Sequence, residues 1–262
     1  IELGTLGHKF KSDSDTEVIV HGYEEWGSDV VNHLRGMFAF AIWDKKEEEL
    51  FIARDPFGIK PLYYALMEDT FMFASEIKAF LPHPKFKKEL NEEIISSYLC
   101  FNSNPNEETF FKGVYKLNPG HYIKYKNNKI TKERYFKFEI EEKEEDMNII
   151  IDKIKKSMNN SISHHLISDV EVGSFLSSGI DSSYLVSASK VKKTYTVGYE
   201  DKEYDEISYA EDLTKKLKIK NKTKNITKQE YMDILPKFLY HMDEPLADPS
   251  AVAISFVSQI AC

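Results

Sequence analysis

Apolar and polar positions follow two different rhythms along the chain, and the change falls close to residue 140. In the first half, Val18, Tyr23, Trp26, Val30 and Leu34 recur at roughly helical spacing and predict one amphipathic helix. Strand-like stretches follow at Gly36 to Trp43, Leu50 to Arg54, Leu62 to Leu66 and Phe71 to Ala74, separated by turn-rich or charged residues. Tyr122 to Tyr125 and Ile130 to Lys132, split by Asn127-Asn128, predict a further hairpin. The first half therefore reads as an α+β sheet domain. A charged run, Glu139 to Asp146, then interrupts the pattern. Beyond it, Met147 to Leu166 is helical, Val172 to Leu176 a short buried strand, Asp181 to Lys190 a helix and Thr194 to Val197 a strand. Glu206 to Leu217 and Tyr231 to Met242 are helical. Alternation of strand and helix predicts a parallel α/β domain. The reading divides the chain into 1–138, an acidic linker at 139–147, and 148–262.

Composition narrows the partners. With 262 residues, 42% hydrophobic and 30% charged, the chain has enough apolar material for one large or two ordinary cores. The longest apolar run, Met37 to Trp43, is far too short for a bilayer, so the expectation is a cytoplasmic protein without a membrane partner. A net charge of −8, from 43 acidic against 35 basic residues, argues against nucleic acid as the main partner. Two cysteines, Cys100 and Cys262, are too few for a disulfide framework or a zinc cluster, and the eight histidines show no pairing at ligand spacing.

The chemistry concentrates in Ser177-Ser178-Gly179-Ile180-Asp181-Ser182-Ser183, between a predicted strand and a predicted helix. Small side chains let backbone N–H groups approach phosphate oxygens, the helix N-terminus adds its positive dipole end, and serine hydroxyls donate further bonds. Asp181 is placed to hold Mg²⁺ against those phosphates. The Gly-Lys-Ser/Thr ending of a Walker loop is absent, and the same residues also suit a plain turn with an N-cap.

This loop resembles the pyrophosphate loop of the ATP pyrophosphatases, Ser-Gly-Gly-x-Asp-Ser, and its setting VGSFLSSGIDSSYLVSA resembles that of the glutamine-hydrolysing asparagine synthetases. SDSDTEVIVHGYEEWG, LRGMFAFAIWD, IARDPFGIKPLYY and FASEIKAFL resemble the class II glutamine amidotransferase domain of the same family. TYTVGY and YHMDEPLADPSAVA resemble its synthetase segments. The resemblance implies an Ntn-hydrolase-like sandwich, incomplete, followed by an incomplete α/β parallel-sheet ATP-pyrophosphatase-like domain. It implies a ligase that makes asparagine from aspartate, with ATP and Mg²⁺, through a β-aspartyl-adenylate and ammonia drawn from glutamine. A homodimer is implied in the same way.

Residue by residue, the resemblance assigns ATP binding to Leu176, Ser177, Ser178, Gly179, Asp181, Ser182 and Ser183, with Val197 and Gly198 against the adenine. Ser178 stands where the common pattern has a second glycine; a positive φ there would strain it, and otherwise its hydroxyl is free to add a phosphate contact. Asp15 matches the aspartate that holds the α-amino group of glutamine, while Ser14 to Glu17 also reads as a capping box. Asp243, Glu244 and Asp248 match the region of the aspartate and adenylate site, or end one helix and start the next with Pro249 in its first turn. Arg54 to Pro61 reads as structural; Glu76 and Lys78 read as a solvated pair or as part of an ammonia route. His164 and His165 read as solvated helix residues.

Family members carry an N-terminal nucleophilic cysteine; Ile1 stands first here, so the expectation is a segment of a longer synthetase with no catalytic residue of its own for glutamine hydrolysis. Two alternatives remain open at this point: a relative that adenylates another carboxylate, as β-lactam synthetases do, and a non-catalytic nucleotide-binding or interaction protein.

Overall fold

A computed structural model describes residues 2–200, 206–248 and 250–262. The chain forms two compact units, Ile1–Ile140 and Glu141–Cys262, and the division falls within the acidic stretch.

The first unit opens with α1 (Glu2–Thr5), α2 (Asp15–Trp26) and α3 (Val30–His33). The single helix predicted through Leu34 is thus two. Gly27 adopts φ 57°, a left-handed conformation that ends α2, and a 3₁₀ turn over Gly27–Asp29 re-aims the chain before α3. Val18, expected on the apolar stripe, is exposed. The close return of α3 also depends on Gly22, where a Cβ would meet Val30 Cγ2 at 2.7 Å.

Strands β1 (Ala39–Asp44), β2 (Glu49–Arg54), β3 (Tyr63–Met67) and β4 (Thr70–Ala74) come next. After the short α4 (Ile95–Phe101) the unit closes with β5 (Val114–Lys116), β6 (His121–Lys126) and β7 (Lys129–Arg134). They build two antiparallel sheets, ordered β1-β2-β6-β7 and β4-β3-β5. The predicted hairpin joins β6 to β7; Asn127 and Asn128 sit at φ 50° and 58°, the pair of positive values that a tight two-residue turn requires.

Alternation along β2 makes the layers. Ile52 points to one face, where it packs with Ile123, Tyr64, Leu62 and Leu117 between the two sheets. Phe51 and Ala53 point to the other, where Val30, Val31 and the rings of Tyr23 and Trp26 cover the sheet. A strand buried on both faces reads as the continuous apolar run seen in Leu50 to Ala53.

In the second unit, α5 (Met147–His165), β8 (Ser174–Phe175), α6 (Ile180–Ser189), β9 (Lys193–Tyr199), α7 (Ile207–Leu217), β10 (Lys220–Ile226), α8 (Lys228–Met242) and α9 (Ser250–Ala261) follow in order. The three strands are parallel, in the order β10-β9-β8. Leu176, Val186, Val191 and Ala210 form one buried cluster, drawing in α6 and α7. Ile226, Phe238, Ala251, Val252 and Phe256 form another, under α8 and α9, with Val197 and Tyr199 against it. Among the described residues no helix is long and apolar enough to cross a membrane.

Candidate functional site

Two places gather the residues that the sequence singles out, one in each unit. In the second unit, buried Leu176 donates its backbone N–H to Tyr195 O at 2.9 Å, anchoring the chain as it leaves β8. The next residues turn into α6. Ser177 N–H donates to Ser182 Oγ at 3.2 Å, Gly179 N–H donates to Ser177 Oγ at 3.2 Å, and Ser183 Oγ donates to Gly179 O at 2.8 Å. The serines therefore lock the loop onto the first helical turn.

What the serines leave open is the helix end itself. Gly179 is the N-cap and no side chain caps α6, so the N–H groups of Ile180, Asp181 and Ser182 have no helical acceptor and point out of the helix start. Asp181 is exposed in that same first turn. Gly179 has φ −71° and ψ 151°, a conformation open to any residue, so its value is space: a Cβ there would meet Ser177 Oγ at 3.3 Å. Ser178 is not among the positive-φ residues, so serine replaces the usual glycine without backbone strain.

The loop lies at the carboxyl end of a parallel strand, where open α/β sheets bind ligands. Because Phe175 is level with Tyr195, continuing the register sets Ser177 level with Val197. Val197 and Gly198 lie on opposite faces of β9. Val197 packs toward the α8 and α9 cluster, and Gly198 is buried against α7, where a Cβ would meet Ile207 Cγ1 at 3.0 Å.

Asp243, Glu244 and Asp248 are not gathered at one point. Asp243 ends α8 at φ 62°, and the Asp248 carboxylate accepts the Ser250 N–H at 2.9 Å at the start of α9; the Ser250 hydroxyl first, and then this N–H, hold its pKa below the ordinary value. Pro249 lies outside the described residues. His164 and His165 each place Nδ1 within hydrogen-bond distance of the carbonyl four residues earlier, Asn160 O at 2.7 Å and Ser161 O at 2.9 Å, and so belong to the end of α5.

In the first unit, Asp15 opens α2 and is exposed at a cleft of about 350 Å³. Thr16, Ile19, Met37, Lys60 and Ser75 line it together with the edge strand β1. The capping reading needs correction in its details. Ser14 is the N-cap, but its hydroxyl oxygen accepts from Thr16 N–H at 3.2 Å, and Glu17 returns to Ser14 only through its backbone N–H, at 3.2 Å from Ser14 O, while its carboxylate turns elsewhere. Glu17 instead accepts the Lys11 and Ser12 N–H groups, each at 2.7 Å, and the Ser12 hydroxyl. The Ser12 hydroxyl first, then the Lys11 N–H, hold its pKa at about 2.

Lys60 and Ser75 are polar cleft residues to which the sequence reading gives no site role. Lys60 reaches the cleft because the preceding turn is rigid. The buried Arg54 guanidinium donates to Lys60 O, Gly58 O and Leu117 O at 2.6–2.7 Å. Buried Asp55 accepts from Phe57, Ile59 and Lys60 N–H at 3.0–3.1 Å. The structural reading of Arg54 to Pro61 matches this. Lys78 pairs with Glu76 at 3.1 Å.

Comparison with known proteins gives these two places a common setting. Residues 1–136 match the family model described as a glutamine amidotransferase domain, a class of unit that draws on glutamine. Residues 153–261 match the model described as asparagine synthase. The chain belongs to the family in which these two domains are joined, the glutamine-hydrolysing asparagine synthetases. It is 39% identical over 265 residues to asparagine synthetase [glutamine-hydrolyzing] 1 of Bacillus subtilis, covering 99% of this chain and 42% of that protein. It is 36% identical over 210 residues to asparagine synthetase [glutamine-hydrolyzing] 3 of the same organism, covering 76% and 34%. The chain thus spans less than half the length of these curated relatives. Among solved structures, a glutamine phosphoribosylpyrophosphate amidotransferase of B. subtilis overlaps with a TM-score of 0.36 at 19% identity, covering 85% of this chain and 41% of that one.

Proposed function

We propose that this chain contributes to glutamine-dependent synthesis of asparagine. The observation that carries the reading is the uncapped start of α6 beside the serine-locked loop, in a chain whose other unit is a glutamine amidotransferase domain.

Ser177, Ser178, Gly179, Ser182 and Ser183 would take the phosphates of ATP, with the N–H groups of Ile180 to Ser182 facing the charge that grows as pyrophosphate leaves. Hydroxyl and carboxylate oxygens suit Mg²⁺, which is held by one or two carboxylates plus substrate phosphates. Asp181 would hold it, and the ion would neutralise phosphate charge. A carboxylate oxygen of aspartate attacks the α-phosphorus and pyrophosphate departs; ammonia then attacks the activated acyl carbon and AMP departs. Val197 and Gly198, which the resemblance sets together against the adenine, face opposite sides of β9, so at most one of them would touch the base, with Leu176 backing the loop from the core. Asp243, Glu244 and Asp248 are proposed near the aspartate on the resemblance alone.

In the first unit, Asp15 would receive the α-amino group of glutamine at the mouth of its cleft, with Lys60 offering a positive charge to the α-carboxylate. The ammonia that glutamine yields is what the synthetase reaction consumes. All three substrates are small and cytoplasmic, and we place the protein there.

The deciding assay is aspartate-dependent exchange of labelled pyrophosphate into ATP by the longest protein that carries this segment, with MgATP titrated onto the 262-residue chain in parallel. Exchange driven by aspartate, together with MgATP binding that Asp181→Asn weakens, is expected. Exchange driven by a different carboxylate, or no nucleotide binding by the chain, would sink the assignment.

A further inference from the structure

We propose that His8, His21 and Glu24 form a binding site for one divalent metal ion of the zinc class. Folding creates this site, because His8 and His21 stand 13 residues apart on different segments and give no ligand pair in the sequence.

Three potential ligand atoms converge. His8 Nδ1 lies 3.2 Å from His21 Nδ1, and Glu24 Oε2 lies 2.9 Å from His21 Nδ1 and 3.8 Å from His8 Nδ1. Tetrahedral zinc with metal–nitrogen bonds of about 2.0–2.1 Å holds its ligand atoms about 3.3 Å apart, which the triangle brackets. Protons serve the same triangle poorly. A ring nitrogen carries either one hydrogen or one lone pair, yet His21 Nδ1 faces both a second imidazole nitrogen and a carboxylate oxygen. If it bears the hydrogen, it divides one donor between two acceptors. If it bears the lone pair, it meets the carboxylate with no hydrogen between them. A cation at the centre satisfies all three lone pairs.

The outer groups are arranged as metal-bound histidines require. Each imidazole turns Nδ1 inward and Nε2 toward a carboxylate: His8 Nε2 lies 3.1 Å from Glu25 Oε2, and His21 Nε2 lies 3.5 Å from Glu17 Oε1. Such carboxylate–histidine–metal chains fix the ring and make the ligand more basic. Glu17 is itself held by Lys11, Ser12 and the Ser12 hydroxyl, so the support extends one step further. The Phe10 ring packs edge-on against His21 at 5.0 Å between centroids, and the two histidine side chains are only 16% and 20% exposed. Glu24 is 58% exposed, leaving the fourth position open to water. Two nitrogens and one carboxylate oxygen favour zinc, or its neighbours nickel and copper, over magnesium or calcium. Bound there, the ion would clip α2, whose first residue is Asp15, to the segment that follows α1.

The test titrates Zn²⁺ alone onto the 262-residue chain against a chromophoric chelator, with Co²⁺ as a spectroscopic probe of coordination. The expected result is one ion per chain, a raised thermal midpoint, and the intense visible absorption of tetrahedral Co²⁺. Glu24→Gln, at an exposed position, should leave the fold unchanged and weaken binding at least tenfold. Glu25→Gln should weaken it by about 10- to 100-fold through His8. His21→Asn should abolish it. No Zn²⁺ held against the chelator, or binding that survives both Glu24→Gln and His21→Asn unchanged, overturns the proposal.

Discussion

The hydroxyl oxygens of Ser177 and Ser182 lie 2.9 Å apart, joining the end of β8 to the first turn of α6. Ser182 Oγ also receives the Ser177 N–H, so one side chain holds the loop from the helix side. Ser182→Ala should cost about 1 kcal/mol of stability through the lost hydrogen bonds. Its effect on MgATP affinity should be larger, about tenfold or more, because a hydrogen bond to a charged phosphate is worth about 1.5–3 kcal/mol. Calorimetric titration beside a thermal melt separates the two. Equal affinity for wild type and variant would remove Ser182 from the nucleotide site.

Gly179 and Ser178 make a paired prediction. At φ −71° Gly179 has no need of glycine's backbone freedom, so Gly179→Ala should melt close to the wild-type temperature, the gain from a stiffer unfolded chain being offset by crowding of Ser177 Oγ. The added methyl, 3.3 Å from Ser177 Oγ, should still block close approach of phosphate and abolish MgATP binding. Ser178→Gly restores the common loop pattern and should destabilise the protein by about 0.4–1 kcal/mol, since serine sits there unstrained and glycine only loosens the unfolded chain. A gain in stability from Ser178→Gly would show hidden strain.

Legibility in the sequence followed what each element uses to hold itself. The β6–β7 hairpin was readable because Asn127-Asn128 carries its own turn chemistry, and β2 because Leu50 to Ala53 is apolar on both faces. Strand β10 was not. Its sequence KNKTKNI has one buried apolar residue, Ile226; it is held at the edge of the parallel sheet by its ladder with β9 and by Asn221, whose Oδ1 accepts from the buried hydroxyls of Thr194 and Thr196. A polar inner row on a lysine-rich edge strand leaves no hydrophobic period to detect. At the sites, contiguous residues 177–183 were legible as a unit. Lys60 and Ser75 beside Asp15 were not, because tertiary packing alone brings them there. The partners of the Glu17 carboxylate are hidden for the same reason: local spacing points to Ser14, whereas the chain before it folds back to present Lys11 and Ser12.

Asp248 allows a helix cap to be told from a ligand. Its carboxylate accepts the Ser250 N–H, and asparagine caps as well as aspartate does. Asp248→Asn should therefore keep the wild-type melting temperature, while Asp248→Ala should lose about 0.5–2 kcal/mol. If the charge also meets substrate, Asp248→Asn will raise the aspartate concentration needed for pyrophosphate exchange; unchanged kinetics would leave it a cap alone.

Acid should weaken both units through Glu17 and Glu230. Each carboxylate is held at about 2, Glu17 chiefly by the Ser12 hydroxyl and Glu230 chiefly by Lys224 and then Thr227 N–H. A folded-state pKa below the unfolded value of 4.5 means that the unfolded chain takes up the proton first. The stabilisation is then complete above about pH 4.5 and is lost as the pH falls toward 2. Urea denaturation across that window should show stability declining with acid, and Glu17→Gln with Glu230→Gln should flatten the slope. An unchanged slope in the double variant would assign the acid sensitivity elsewhere.

Arg54 is the residue whose loss should do most damage to the first unit. Its guanidinium is buried and satisfies three carbonyl oxygens, Lys60 O, Gly58 O and Leu117 O, from three directions that a planar fork can reach at once. Burial pulls its pKa below the ordinary value, and the adjacent Asp55 carboxylate opposes that pull, so the group stays charged. Arg54→Met leaves three carbonyl oxygens without their donor and removes the positive charge beside the buried Asp55 carboxylate, and should cost several kcal/mol, at about 1–3 kcal/mol for each buried group left unsatisfied. Arg54→Lys should recover only part of that, because an ammonium at the end of a flexible stem cannot match the fork. The turn it holds carries Lys60 to the Asp15 cleft, so glutamine affinity should fall in both variants even under conditions where the fold persists. Equilibrium urea unfolding of the three proteins gives the ranking, and a Met variant as stable as wild type would show that the network is dispensable.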